Sequence, residues 1–233
     1  MDQVDNKPDN EKNKTDLSLK IHRGIIALLQ ILMAVELVIV FYKGQWMNAF
    51  LVMAIIVITF IPTWLHRRFR VYIPPEFQAL AVIFVFAALF LGEIQSYYHR
   101  IWWWDIALHT SSGLLMGIVG FLLVYVLNES KYIDLHMRPR FVALFAFFFA
   151  VTVGTLWEIF EFSMDQIFAT NMQKAMFGDP SGLTDTMWDM IVNALGAFII
   201  CTLGWWYTSH HQQSFIEAWI RKFIERNPHL FRL

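Results

Sequence analysis

Disulfide chemistry within the chain is excluded at once, because its 233 residues include a single cysteine. That residue, Cys201, lies in an apolar run. Charge is scarce and balanced: 18 Lys and Arg stand against 19 Asp and Glu, a net charge of −1. Bulk charge therefore leaves no footprint for nucleic acid, and none is expected as a partner. A cleavable secretory leader is not expected either. The first apolar block begins only after a polar tail, and no small-residue cleavage site follows it. Glu-x-x-His pairs are missing, which removes the di-iron carboxylate pattern of helical bundles. No serine–histidine nucleophile pattern and no phosphatase signature is visible, although Ser111 and Ser112 follow His109.

Apolar residues are what the chain does have. They make up 57% of it, and mean hydropathy is +0.47. Soluble domains contain roughly 45–50%. The apolar residues come in blocks long enough to cross a membrane, for which a helix needs about 20 residues. Six blocks qualify: Gly24 to Phe41, Trp46 to Leu65, Phe77 to Glu93, Trp103 to Leu127, Phe141 to Phe162, and Thr184 to Tyr207. Pro74 and Pro75 fit the start of the third, where a missing N–H costs little. The expected fold is an all-α integral membrane protein. It has a disordered polar tail over residues 1–20, a six-helix bundle over 21–208, and a C-terminal amphipathic helix over 209–233. In that last segment Phe215, Ile216, Trp219, Ile220, Phe223 and Ile224 recur at helical spacing, opposite Glu217, Arg221, Lys222 and Glu225. Such a helix suits the inner leaflet or the cytoplasmic loops of the bundle.

Basic residues orient the bundle. Fifteen of the 18 fall in the tail, the second and fourth connections and the C-terminus. Only Lys43, Arg100 and Lys174 fall on the other side. A bacterial inner-membrane protein with both termini cytoplasmic is predicted.

Acids then sort by depth. Glu36 lies late in the first span, which travels outward, and Glu93 ends the third. Asp105 and His109 open the fourth. Glu158 and Glu161 lie near the outward end of the fifth, with Asp165 just beyond, and Asp185 and Asp189 open the sixth. The inner halves of the spans contain no acid. Asp105/His109 and Asp185/Asp189 are i,i+4 pairs and Glu158/Glu161 is an i,i+3 pair, so each pair shares a helix face. Asn193 and Gly196 continue the Asp189 face. Taken singly, each residue has a plainer reading. Asp165 and Asp185 can reach water, Asp185 suits a first helical turn, and His109 alone suits packing. Trp102, Trp103, Trp104, Tyr97 and Tyr98 suit an outer aromatic belt. Taken together they predict an outward polar pocket. A charge at mid-membrane costs about 3 kcal/mol on insertion scales, so protons, a metal cation or a cationic ligand must compensate. Candidate ligands of a divalent metal ion are Asp105, His109, Glu158, Glu161, Asp185 and Asp189. Glu36, Glu93 and Asn193 are expected to line the pocket.

The stretches "WDIALHTSSGLLMGIVGF", "WEIFEF" and "GLTDTMWDMIVNALGAFI" resemble the YjdF-like inner-membrane proteins. More distantly they resemble VanZ-like proteins, whose pattern is an Asp-x-x-x-His helix start, a later Glu, and Asp-x-x-x-Asn-x-x-Gly. That pattern falls here on Asp105 and His109, on Glu158 or Glu161, and on Asp189, Asn193 and Gly196. This chain departs from it at Glu161, where VanZ-like proteins carry Gln, and in a loop holding only Lys174 in place of their Arg. The more distant resemblance implies cell-envelope lipid or peptidoglycan precursors as the chemical setting.

Three functions are compatible with these residues. The first is a metal-dependent hydrolase or transferase at the outer face, acting on an amphiphilic substrate. The second is a non-enzymatic membrane protein that binds lipid or a cationic ligand, or scaffolds a partner. The third is a lipid or small-molecule transporter. No ionisable relay continues inward from the acids, which counts against a proton path.

Overall fold

The computed structural model describes residues 9–69, 75–128, 137–210 and residue 227. Apart from an isolated bridge between Met176 and Asp179, the regular structure among them is helical. The chain separates into two compact units, Met1–Tyr97 and Tyr98–Leu233, a division the sequence reading did not draw. The amphipathic segment expected over 209–233 lies almost entirely outside the described residues.

In the first unit, α1 (Asp9–Tyr42) and α2 (Trp46–Phe69) form a hairpin. Its turn is set by Gly44, whose φ of 67° favours glycine. Gly44 N–H donates to Phe41 O and Gln45 N–H to Val40 O, so two carbonyls at the end of α1 are satisfied within the turn. α3 (Pro75–Val85) starts on the proline and widens into a π-helical segment, Phe86–Ile94. Gln95 N–H reaches back five residues to Phe90 O. Met33, Val52, Ile55 and Phe90 form the core of this unit. Between α1 and α2, Gln30 Nε2 donates to Thr59 Oγ1 at 3.2 Å, so two polar side chains satisfy each other.

Helix α1 begins at Asp9, whereas a disordered tail was expected through residue 20; residues 1–8 lie outside the described part. The correction has a simple reason. The apolar part of α1 has already met the cost of helix nucleation, so each polar residue added to its N-terminal end costs little.

A single turn, α4 (Tyr97–Arg100), leads into the second unit. There α5 (Trp104–Asn128), α6 (Pro139–Phe168) and α7 (Leu183–Ser209) each pack against the other two. Helix α6 buries Val142, Ala146, Ala150, Gly154 and Glu158, one residue every four. That row is small along its length and acidic at its end. Helix α7 buries Asp185, Asp189, Asn193, Gly196, Ala197, Ile200, Cys201 and Gly204. The small residues set the helix separation: a Cβ on Gly113 of α5 would run into Asn193 O, and one on Gly196 of α7 into Thr110 O. Interfaces built this way draw helices together without a hydrophobic drive, as apolar surroundings require.

Among the described residues, five helical stretches are long and apolar enough to cross a membrane. They are Lys20–Tyr42, Pro75–Ile94, Trp104–Val124, Pro139–Phe168 and Leu183–Ser209. The block expected as the second span falls on α2, whose apolar stretch Asn48–Ile61 is shorter. Outward-facing Phe141, Leu144, Phe145 and Phe148 on α6, and Leu195, Phe198 and Ile199 on α7, give the second unit the apolar exterior that a lipid environment accepts.

Candidate metal centre

Helices α5 and α7 start at the end of the three-helix unit where α6 finishes. The acids counted by depth in the sequence therefore meet there. Asp105 stands in the first turn of α5, with His109 one turn further on the same face. Glu158 comes from two thirds of the way along α6, and Asp185 and Asp189 from the first two turns of α7.

The His109 ring is the hub. Its Nε2 lies 3.3 Å from Asp105 Oδ1 and 3.8 Å from Asp189 Oδ2. Its Nδ1 lies 3.5 Å from Glu158 Oε1. Asp189 is 1% exposed and Glu158 3%, while the side chains of His109 and Asp105 are 12% and 16% exposed. Neither oxygen of Glu158 and neither oxygen of Asp189 meets a hydrogen-bond donor. Thr186 stands beside Glu158 but outside hydrogen-bond geometry. Buried carboxylates are ordinarily satisfied, so these four oxygens around one ring call for compensation, by shared protons or by a cation.

One ligand atom each from Asp105, His109 and Asp189 lie within 4.8 Å of one another. A cation bound at about 2.0–2.2 Å by imidazole and carboxylate holds its ligand atoms roughly 3–4 Å apart. The separations at Nε2 already match that spacing. The charge count points the same way. Three carboxylates ring one imidazole, and protonating the imidazole neutralises only one of them.

Other expected residues have other duties. Glu161 is half-buried and accepts from Trp157 Nε1 at 2.8 Å on its own helix. Asp185, 2% exposed, accepts the backbone N–H of Lys174 through Oδ2 at 2.7 Å. Asn193 is buried, lies against Gly154 of α6, and points Nδ2 at His109 O, 3.5 Å away. It thus ties α6 and α5 to α7 directly beneath the ring. Glu36 and Glu93 belong to the first unit, where Glu36 is half-buried on α1 and Glu93 is exposed near the end of the π segment.

Sequence reasoning missed the connection from α6 to α7. Asp165 accepts from the backbone N–H groups of Met172 and Gln173 and from Thr170 Oγ1. Gln173 Nε2 donates to Thr186 Oγ1 at 2.7 Å. Asp179 accepts from Ser181 N–H, Thr184 N–H and Thr184 Oγ1, and these bonds to Ser181 and Thr184 hold its carboxyl well below the usual range. Lys174 Nζ donates to Asn171 O and sits 5.4 Å from the centre of the Tyr98 ring. The connection is a built structure closing this end of the unit. The signal for it was a density of Asp, Asn, Ser, Thr and Gly between two apolar blocks.

A three-helix membrane unit with a buried Asp–His–Asp cluster at one end is the class these features define. Residues 25–210 match the family described as predicted membrane protein (DUF2238), and the chain belongs to that family, which is that of the YjdF-like proteins. A Thermotoga maritima relative described as an uncharacterized protein is 30% identical over 132 residues. The match covers 56% of this chain and 62% of that relative, so less than two thirds of the relative's length is spanned. No solved structure matches. The VanZ-like resemblance rests on its short motif alone.

Proposed function

We propose that this is a six-span bacterial inner-membrane protein, both termini cytoplasmic, that binds a divalent metal ion through Asp105, His109 and Asp189 near the outer face. The bound ion would act as a Lewis acid or activate water. At headgroup depth it would serve a hydrolase or transferase whose substrate is an amphiphile, of lipid or cell-envelope precursor type. The observation that carries the metal reading is the pair of buried Asp189 oxygens without donors, in a group of three ligand atoms within 4.8 Å of one another. Oxygen and imidazole donors suit Mg²⁺, Mn²⁺, Fe²⁺ or Zn²⁺. The test is elemental analysis of the protein purified in mild detergent without chelator. Stoichiometric metal, and a melting temperature lowered by EDTA, are the expected results. Metal-free protein with a melting temperature unmoved by EDTA overturns the reading.

A second reading has its own observation. His109 lies within ion-pair distance of three carboxylates, so a protonated ring sharing protons with them is a metal-free alternative. It leads to a binding or scaffolding protein, and the same measurement decides against it when metal is found.

A further inference from the structure

The two nitrogens of the His109 ring face different partners. Nε2 faces Asp105 and Asp189, while Nδ1 faces Glu158 alone. A neutral imidazole has one N–H and one lone pair, and the acceptor beside one nitrogen decides which is which. Glu158 offers acceptors only, and neither of its oxygens has another donor. It comes from α6, whereas Asp105 and His109 share α5 and Asp189 is on α7. It also stands outside the set of three atoms that lie within 4.8 Å of one another.

We infer that Glu158 is a positioning residue and not a metal ligand: it accepts the Nδ1 proton of His109 and so presents the Nε2 lone pair to a divalent cation held by Asp105 and Asp189. This inference rests on the metal reading above and gives that site a defined inner set of ligands. The arrangement is a carboxylate–imidazole–metal chain, in which the outer carboxylate fixes the tautomer, aims the ring and raises its basicity. It also accounts for a carboxylate 3% exposed at the end of an otherwise small, apolar row on α6. Gly154, one turn earlier on that row, leaves room for Asn193, which holds the His109 backbone from the other side.

The test is Co²⁺ binding by the full-length protein in detergent micelles, followed by the absorption of the bound ion and by calorimetric titration. Asp105→Asn and His109→Ala are expected to abolish saturable binding. Glu158→Ala is expected to weaken it by about 10- to 100-fold, the usual cost of losing an outer partner. Glu158→Gln keeps an oxygen acceptor for the Nδ1 proton in nearly the same volume. It is expected to restore most of the affinity, with the wild-type absorption bands of an unchanged ligand set. Glu158→Gln binding as poorly as Asp105→Asn, or with altered bands, makes Glu158 a direct ligand and overturns the inference. Glu158→Ala binding as tightly as wild type overturns it too. Folded wild-type protein that takes up no Co²⁺ is a different failure, that of the metal reading itself, and removes the inference with it.

Discussion

His109 concentrates the chemistry of the second unit, and its neighbours can be separated by substitution. Asp189 supplies an inner oxygen, so Asp189→Asn should lower metal occupancy and thermal stability together. Excess metal should recover part of the loss by mass action, about 2.7 kcal/mol at a hundredfold excess over Kd. Glu161 bonds to Trp157 and lies outside the inner set, so Glu161→Gln should leave occupancy unchanged. Metal analysis and EDTA-dependent melting of the two variants check both statements. Equal loss in both would spread the site across α6. Beneath the ring, a Cβ on Gly154 would lie 2.6 Å from Asn193 Oδ1. Gly154→Ala should therefore destabilise the protein by about 1–3 kcal/mol, the usual cost of overpacking, read as a lower melting temperature in detergent. Spacing alone put Asp105 and His109 on one helix face, and Asp185 and Asp189 on another. It did not reveal which ring nitrogen faces which carboxylate. That depends on the relative rotation of α5, α6 and α7, which small residues such as Gly113 and Gly196 set in three dimensions.

At the scale of elements, the apolar blocks located the helices because a backbone in lipid must satisfy its own hydrogen bonds. The π-helical turn of Phe86–Ile94 was not legible, since one extra residue in a helical turn leaves no compositional trace. The connection between α6 and α7 is the element whose order was least expected, and it carries two predictions. Ala169 closes α6 at φ 51°, a left-handed conformation that costs a side-chain-bearing residue about 1 kcal/mol or more. Ala169→Gly should stabilise the protein by roughly that amount, seen as a higher melting temperature. Asp179 organises the far side of the connection in its ionised form. Its pKa is lowered on folding, so its contribution is present above the unfolded value near ~3.9 and fades as pH falls through the folded value. Asp179→Asn should make the 170–182 connection easier to cut by protease at neutral pH. That difference should shrink in strong acid, where the wild-type carboxyl also loses its charge. A constant difference at all pH values would assign the effect to shape and not to charge.

For the whole molecule, the deciding element is α2. Among the described residues five stretches pass as spans on length and hydropathy, and an odd number would put the two termini on opposite sides of the membrane. Helix α2 runs over 24 residues, Trp46–Phe69. At 1.5 Å per residue that is about 36 Å, enough for a hydrocarbon core of about 30 Å. Its last turns carry Arg67 and Arg68, and Arg70 follows in the sequence, the pattern expected of a cytoplasmic end under the proposed topology. On the proposed topology α2 counts as a span, which gives an even number and puts fifteen of the 18 basic residues on one side. The second unit has a polarity of its own. Arg138 and Arg140 stand at the start of α6, Arg140 lying 5.7 Å from the centre of the Trp205 ring near the end of α7. The acids gather at the opposite end with Lys174. Reporter fusions after residue 70 and at the C-terminus should therefore be cytoplasmic, and one after Lys174 should be extracytoplasmic. If α2 lies along the surface instead, the N-terminal tail and the C-terminus will report from opposite sides. If both ends and the residue-70 fusion report from outside, the Asp105–His109–Asp189 cluster faces the cytoplasm, and an outer-leaflet substrate is ruled out.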